Sequence, residues 1–443
     1  MGGKNKSLFQ IIVLGIFGFF AVLGLIFFAT YSSKNKSQDI GRVIIWGTIE
    51  QKVMNKFLQE LRAENPVYKR VLYAEYPEYN FNEKVTDALA AGEGPDIIIL
   101  KHEDLLKYKN KIFPISYETF DKRSFKDTFI DGAEIFMAPE GILAIPFAVD
   151  PLVLYYNRDI FADNLVVEPP KLWKQIPGLS SKMTVRDRAN NIDVATIALG
   201  AYDNVSNAYA ILAMLTMQAG GNITLYDPSS GYLLSGLRGN TAESAQKAVR
   251  FYTAFANPVS NVYSWNRSLS ESLEMFTQDK LAMYIGFASD LPIIMDKNPH
   301  LNFDVTMLPQ VDKKDAQQQT RTYGRFWAFA ITKASQNKRG AYQFVLNMLQ
   351  PAQAKKLTDM LGISYVQRKL LALEQSDPLA KIFRDSAVIS YAFLDPDPNH
   401  TGEILSRMIA NIISGQTFVD KAVTLAGAEI QKVVDAYLES NSK

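Results

Sequence analysis

The stretch Ala144-Ile145-Pro146-Phe147-Ala148-Val149-Asp150-Pro151-Leu152-Val153-Leu154-Tyr155-Tyr156-Asn157-Arg158-Asp159-Ile160-Phe161 decides how this chain is read. Two strand-like apolar runs flank a Pro-Phe and an Asp-Pro. The second run ends in an aromatic corner, Tyr155-Tyr156, followed by Asn157-Arg158-Asp159. In a regular strand Tyr155 and Tyr156 point to opposite faces, so one of them belongs to the core.

Upstream, Arg42 to Thr48 reads as a buried strand ending at a glycine turn. Thr48 and Gln51 fit a capping box, and Ile49, Val53, Phe57 and Leu61 recur at helical spacing before Pro66. Val71 to Tyr76 is a second strand. Asn82 to Ala91 is a helix stopped by Gly92, and Gly94 to Leu100 is a third, continuously apolar strand. Strand, helix, strand, helix, strand predicts a parallel sheet covered on both faces. Ligands of such sheets bind beyond the carboxyl ends of the strands, which here carry Trp46-Gly47-Thr48 and Lys101-His102-Glu103. Downstream, helices are predicted from Pro169-Pro170, over 204–219 and 242–256, from about 338 to 349, and over 402–414 and 418–438. Strands are predicted at 281–286, 303–308 and 326–331, and Asp312 to Thr320 is the most polar loop.

The chain has 443 residues, of which 47% are hydrophobic. That length exceeds what one core usually serves, so two domains or lobes are expected. Lys and Arg total 47 against 46 Asp and Glu, without a large block of either sign, which argues against a nucleic-acid surface. No cysteine is present, which removes disulfides, thiolate metal sites and any cysteine-borne lipid. Three scattered histidines make a His-rich metal site improbable. Residues 11–29 are an uncharged apolar run that rises about 28 Å as a helix, close to a bilayer's hydrocarbon thickness. Its length and the lack of a small-x-small cleavage site favour an uncleaved anchor over a cleaved signal.

The order of pieces resembles the extracellular solute-binding proteins related to maltose-binding protein, often called family 1. The 144–161 segment is similar to the family's lobe-crossing strand. Asp87 to Ile97 resembles "alasG-x-x-PDv", and Pro169 to Trp173 its "P-x-T-W" helix start. Phe276 to Gly286 resembles "F-x-x-G-k-x-A-M-x-x-x-G", Tyr323 to Ile331 "x-G-G-x-x-x-a-I", and Ala341 to Leu349 "A-x-x-F-l-x-f-L". Three departures stand out. The lipid-anchoring cysteine is absent. The glycine of "F-x-x-G-k" is Asp279. The tryptophan after "A-M-x-x-x-G" is replaced by Phe287-Ala288, which argues against a maltose-like ligand.

The resemblance implies an α/β, two-lobed periplasmic-binding-protein fold, type II-like, with hinge strands, preceded by one transmembrane helix. The expected division is a cytoplasmic N-terminus over 1–10, an anchor over 11–30 and a linker over 31–39. Lobe 1 is 40–149 plus 328–366, and lobe 2 is 150–327 plus 367–443, with crossings near 149–151, 323–328 and 363–367. It implies a membrane-tethered receptor, monomeric, with its soluble part on the extracytoplasmic side. That receptor would bind a mono- or oligosaccharide in the inter-lobe cleft and deliver it to the transmembrane subunits of an ABC permease. No enzyme activity, cofactor, metal or nucleic acid is expected.

Saccharide faces want aromatic rings, and hydroxyls want planar polar groups that donate and accept in pairs. The resemblance places Trp46, Trp265 and Trp327 in or near the cleft, each with aromatic core as the alternative. Thr48, Tyr155 and Phe287 are further ligand candidates. Asp150 is a ligand acceptor or a local turn cap. Arg325 binds ligand or latches the lobes to a carboxylate. Glu103 meets ligand or caps a helix. Tyr391 and Phe393 lie where the family carries a cleft aromatic. Trp173 reads as packing, and Asp395, Asp397 and His400 as a solvated turn rather than a metal site.

No G-x-S-x-G elbow, Walker loop, H-E-x-x-H or dinucleotide fingerprint occurs. Two alternatives stay open. One is a membrane-anchored glycan-acting hydrolase or cell-wall enzyme on a two-lobed α/β scaffold, which would need two carboxylates flanking one cleft. The other is a sensory or adhesion receptor that closes in the same way without a permease.

Overall fold

The computed structural model describes residues 39–227, 229–312 and 320–441. The apolar run at 11–29 lies outside them. Among the described residues no helix is long and apolar enough to cross a membrane.

Eleven strands form one sheet among the described residues: β1 (Val43–Gly47), β2 (Val71–Glu75), β3 (Ile97–Lys101), β4 (Ile145–Asn157), β5 (Val185–Arg186), β6 (Ile192–Ile197), β7 (Leu281–Phe287), β8 (Phe303–Thr306), β9 (Thr322–Ile331), β10 (Ser364–Tyr365) and β11 (Ser390–Tyr391). The path runs β2-β1-β3-β9-β4-β7-β6-β5. Strands β8 and β10 join β4, and β11 joins β9. The parallel trio predicted at the N-terminus is present: β1 pairs parallel with β2 and with β3. Helices Gln51–Glu64 and Glu78–Ala91 connect the three strands.

The two lobes share the long strands β4 and β9. Residues Ile145 to Pro151 of β4 pair with β9, whereas Leu152 to Tyr156 pair with β7 and Leu154 to Asn157 with β8. The exchange of partners falls at Pro151, whose missing N–H cannot serve a ladder. Opposite it sits Gly324. A Cβ there would come within 2.6 Å of the Ser390 Cβ, so only glycine lets β11 lie this close. Strand β10 adds a third line at the same place, pairing Ser364 with Val149 and Tyr365 with Ala148. Strand β9 begins four residues before the predicted 326, because Thr322 and Tyr323 pair with β11.

Several motif residues prove architectural. Asp96 is buried and accepts from Ile44 N–H (2.9 Å), Ser335 Oγ (2.5 Å) and Asn337 N–H (3.1 Å), tying β3 to the chain after β9. The Asn157 side-chain oxygen accepts from the N–H groups of Asp159 and Ile160, capping the next helix. Its amide nitrogen donates to Asp279 at 2.7 Å. Asp279 has φ +59°, which explains why a glycine suits this position and why a short polar side chain replaces it here. The capping box expected at Thr48 and Gln51 does not form. Glu50 occupies the N-cap, and Gln51 instead exchanges bonds with Glu75: Gln51 N–H to Glu75 Oε2 at 2.6 Å and Glu75 N–H to Gln51 Oε1 at 3.0 Å. This ties the helix start to the end of β2.

Candidate functional site

The carboxyl ends of β1 and β3 face residues 396–399 and helix Pro398–Ile413 across a groove. One cavity of about 630 Å³ is lined on the near side by Thr48, Glu78, Tyr79, Lys101 and Glu103, and on the far side by Pro396, Asp397, Pro398 and Asn399. An adjoining cavity of about 590 Å³ shares Glu103, Pro398 and Asn399 and continues to Tyr202, Tyr209, Glu403 and Arg407. The two make a continuous groove between lobes. Its polar groups are carboxylates, two asparagines, Thr48, Ser406 and basic side chains, and its rings are tyrosines and Phe81. Tyr79 follows Pro77 in the first turn of its helix and is 88% exposed, an open ring at the rim.

Behind the groove stands a hydrogen-bonded chain. The Phe326 N–H donates to His102 Nδ1 at 3.2 Å, so the imidazole proton sits on Nε2 and donates to the Tyr323 hydroxyl at 3.1 Å. Tyr323 then donates to Glu103 Oε1 at 3.2 Å, and Arg325 Nε reaches the same oxygen at 3.3 Å. Burial pushes His102 down to about 4, which agrees with a neutral ring whose Nδ1 accepts. Burial works against the Glu103 charge, but Arg325 above all outweighs it and holds that carboxyl down at about 2. The Arg325 guanidinium also lies 4.1 Å from the Phe287 ring centroid.

Of the eleven residues expected at the site, three converge here. Thr48 and Glu103 line the groove, and Arg325 is fixed through Glu103. Five others are corrections. Trp265 is fully buried, and its indole N–H donates to Asn204 at 3.1 Å, so it offers no ring face to solvent. Tyr155 is fully buried and donates to the Phe287 carbonyl at 2.7 Å; it is the core member of its pair, and Tyr156 the partly exposed one. Phe287 is buried beneath Arg325. Phe393 is buried between Tyr209 and Tyr323. Asp150 is buried with both oxygens engaged by Ser289, N–H at 3.0 Å and hydroxyl at 2.6 Å, and burial pushes its carboxyl up to about 6. Asp150, Tyr155 and Phe287 sit on β4 and β7 inside the sheet, and Trp265 and Phe393 on buried irregular segments, so all five side chains are enclosed by distant chain.

The remaining three stand apart. Trp46 packs on Tyr76 with centroids 4.6 Å apart, and Trp327 lies under the Lys101 ammonium, 5.2 Å from its centroid. Trp46 is level with Ile98 and Trp327 with Lys101, positions three apart on β3, so the two indoles occupy opposite sheet faces and cannot form one platform. Tyr391 is partly exposed, stacked by Arg321 at 4.5 Å and bonded to Asp131 at 3.3 Å. The far wall comes from chain some 300 residues beyond the near wall, and its signal in the sequence is the Asp395-Pro396-Asp397-Pro398 turn. There Asp395 accepts from Tyr209 (2.8 Å) and Thr401 (2.9 Å), and Asp397 caps the helix at His400 N–H (3.1 Å). Among the described residues no group of three His, Asp or Glu side chains is arranged to hold a metal.

Two α/β lobes on shared strands, with a polar groove between them, define a solute-receptor architecture. Residues 56–376 match the family described as bacterial extracellular solute-binding protein, and the chain belongs to that family. A maltotriose-binding protein of Pyrococcus abyssi is 21% identical over 373 residues, covering 82% of this chain and 75% of that protein. Among solved structures, the cyclic alpha-maltosyl-1,6-maltose binding protein of Arthrobacter globiformis superposes with a TM-score of 0.71 at 14% identity, covering 90% of this chain and 99% of that one. The sugar-binding protein MalE of Xanthomonas citri gives 0.70 at 17% identity, covering 91% and 99%. At these identities the structural likeness speaks for the fold.

Proposed function

We propose that this protein is a membrane-tethered, extracytoplasmic receptor that captures a saccharide between its lobes and presents it to the transmembrane subunits of an ABC importer. The observation that carries the reading is the groove itself, walled by Thr48, Glu78, Lys101 and Glu103 on one side and by residues 396–399 on the other. Carboxylates, an amide and an ammonium supply paired acceptors and donors for hydroxyls, and the exposed Tyr79 ring supplies a stacking face. Relatives named for maltotriose and for a cyclic maltosyl-maltose support a saccharide as the class.

The lobes divide as 40–149 plus 328–366 and 150–327 plus 367–443, and residues 11–30 anchor the chain through the linker 31–39. Solute touching both walls stabilises the closed form, which is the form a permease recognises. The tether raises the receptor's effective concentration at that permease.

The test is calorimetric titration and thermal shift of the full chain in detergent against maltodextrins, cyclic glucans, monosaccharides and, as controls, amino acids and polyamines. A saccharide should raise the melting temperature by linkage and be recovered unchanged. Small-angle scattering should then show compaction with that ligand. Saturable binding of a control class alone would overturn the saccharide assignment. Release of cleaved product would overturn the receptor.

A further inference from the structure

The edge of lobe 1 opposite the groove carries four basic side chains without an ion-pair partner among the described residues, with Glu93 the exposed carboxylate nearby in sequence, ahead of β3. Parallel strands β1, β2 and β3 all start at this edge, and antiparallel β9 ends there. Arg42 immediately precedes β1. Lys333 lies two residues past β9, and Lys338 and Arg339 open the next helix. All four are exposed, and none makes an ion pair with another described residue. Arg42 and Arg339 line one cavity of about 590 Å³, together with Asp39, Gln336 and Asn337. Asp39 is already engaged, by Arg70 at 2.9 Å and Lys69 at 3.8 Å. Asp96 is buried and bonded within the fold.

We propose that this edge docks on anionic lipid headgroups, with Arg42, Lys338 and Arg339 contacting their phosphates. The proposal rests on the tether read from the sequence. Ten peptide steps separate Ala29 from Asp39, a reach of at most about 35 Å, so the edge at Asp39 is the part of the domain held nearest the bilayer. A basic face confined to that distance from an anionic leaflet gains on the order of fivefold in local partition per Lys or Arg. Guanidinium forks suit phosphate geometry. In this pose the carboxyl ends of β1 and β3, and so the groove, sit on the far side of lobe 1, a five-residue strand or about 16 Å further out. The receptor therefore rests with its solute site turned to the medium.

The chain contains no cysteine, so Gln336→Cys can carry a single donor dye at this edge. The full chain is reconstituted into vesicles of phosphatidylcholine, with or without phosphatidylglycerol, bearing an acceptor at the headgroup level. Energy transfer should rise with phosphatidylglycerol, fall at high salt, and fall in R42Q/K338Q/R339Q by about two orders of magnitude in the docked-to-free ratio. All three replaced side chains are exposed, so the triple variant should fold normally, checked by its melting temperature. Flotation with neutral vesicles separates the premises. Failure to float would remove the tether and the docked pose with it. Flotation with equal transfer in both lipids, or transfer unchanged in the triple variant, would overturn docking alone. A melting temperature raised by inorganic phosphate at constant ionic strength in the wild type but not in the triple variant, with transfer independent of phosphatidylglycerol, would assign the cavity to soluble phosphate and overturn the membrane pose.

Discussion

Arg325 Nε lies 3.3 Å from Glu103 Oε1, joining the crossing strand β9 to the turn that follows β3 at the floor of the groove. Both side chains are mostly covered, 27% and 19% exposed, and the guanidinium also lies over Phe287 in the second lobe. One carboxylate thus lines the groove and holds the strand that both lobes share.

Replacing Glu103 with Gln leaves a largely covered guanidinium without its counter-charge. The expected cost is about 2 kcal/mol, below the value for fully buried pairs because both groups keep some solvent. The double variant E103Q/R325Q should be less destabilised than the sum of the two singles, by about 1–2 kcal/mol in urea unfolding. Additive singles would mean that the pair is not coupled.

Two buried groups should give opposite pH slopes. His102 is ordinarily near 6.5 and is held at about 4 in the fold. Between those values only the unfolded chain is protonated, so acidification destabilises. Asp150 is ordinarily near 3.8 and is raised to about 6, so between those values only the folded chain is protonated and acidification stabilises. Each contributes on the order of 3 kcal/mol at about 1.4 kcal/mol per pKa unit. The wild type should therefore be nearly flat from pH 6 to 4. H102N should gain stability over that window, and D150N should lose it. Below pH 4 every form that keeps Glu103 should weaken, because that carboxyl is held down at about 2. Melting temperatures across the range are the check, and equal slopes for the two variants would refute the assignment.

Trp265 and Tyr79 should separate stability from binding. Trp265→Ala removes a fully buried ring and should cost roughly 3–5 kcal/mol of fold stability. Tyr79→Ala removes an 88% exposed ring and should leave the melting temperature within a degree or two. If Tyr79 stacks on solute, its loss of about 100 Å² of apolar contact is worth about 2 kcal/mol, or a roughly thirtyfold weaker Kd. A Tyr79→Ala protein with normal affinity would take that ring off the site.

At Asp279 the backbone and the side chain can be told apart. The residue holds φ +59° and accepts a 2.7 Å bond from Asn157. Asp279→Gly loses the bond but relaxes the backbone, whereas Asp279→Ala loses the bond and keeps the strain. Alanine should be the less stable by about 1 kcal/mol in denaturant unfolding. Equal stabilities would show that the turn carries no conformational cost.

The alternation of apolar runs and helical spacing determined the parallel strands β1 to β3, because burial on both faces demands continuous Val, Ile and Leu in short segments. The Ile145-to-Asn157 run likewise determined a long strand, and Asn157 its stop, since a side-chain cap is a local device that three consecutive residues encode. Site membership was not local. Trp265, Tyr155 and Phe287 carry the right chemistry for stacking, but whether a ring faces solute or core depends on what lies across from it, and that comes from distant chain. Asp150 lost its free oxygens to Ser289, 139 residues away. Tyr79 and Asn399 entered the groove only because helix Pro398–Ile413 packs opposite the ends of β1 and β3. The sequence alone determined the principal strands through short-range periodicity, whereas the cap it suggested at Thr48 and Gln51 gave way to Glu50 once Gln51 paired with Glu75 across the sheet edge. The tertiary structure decided the groove, because a cleft between lobes is made of surfaces that no short window of sequence contains.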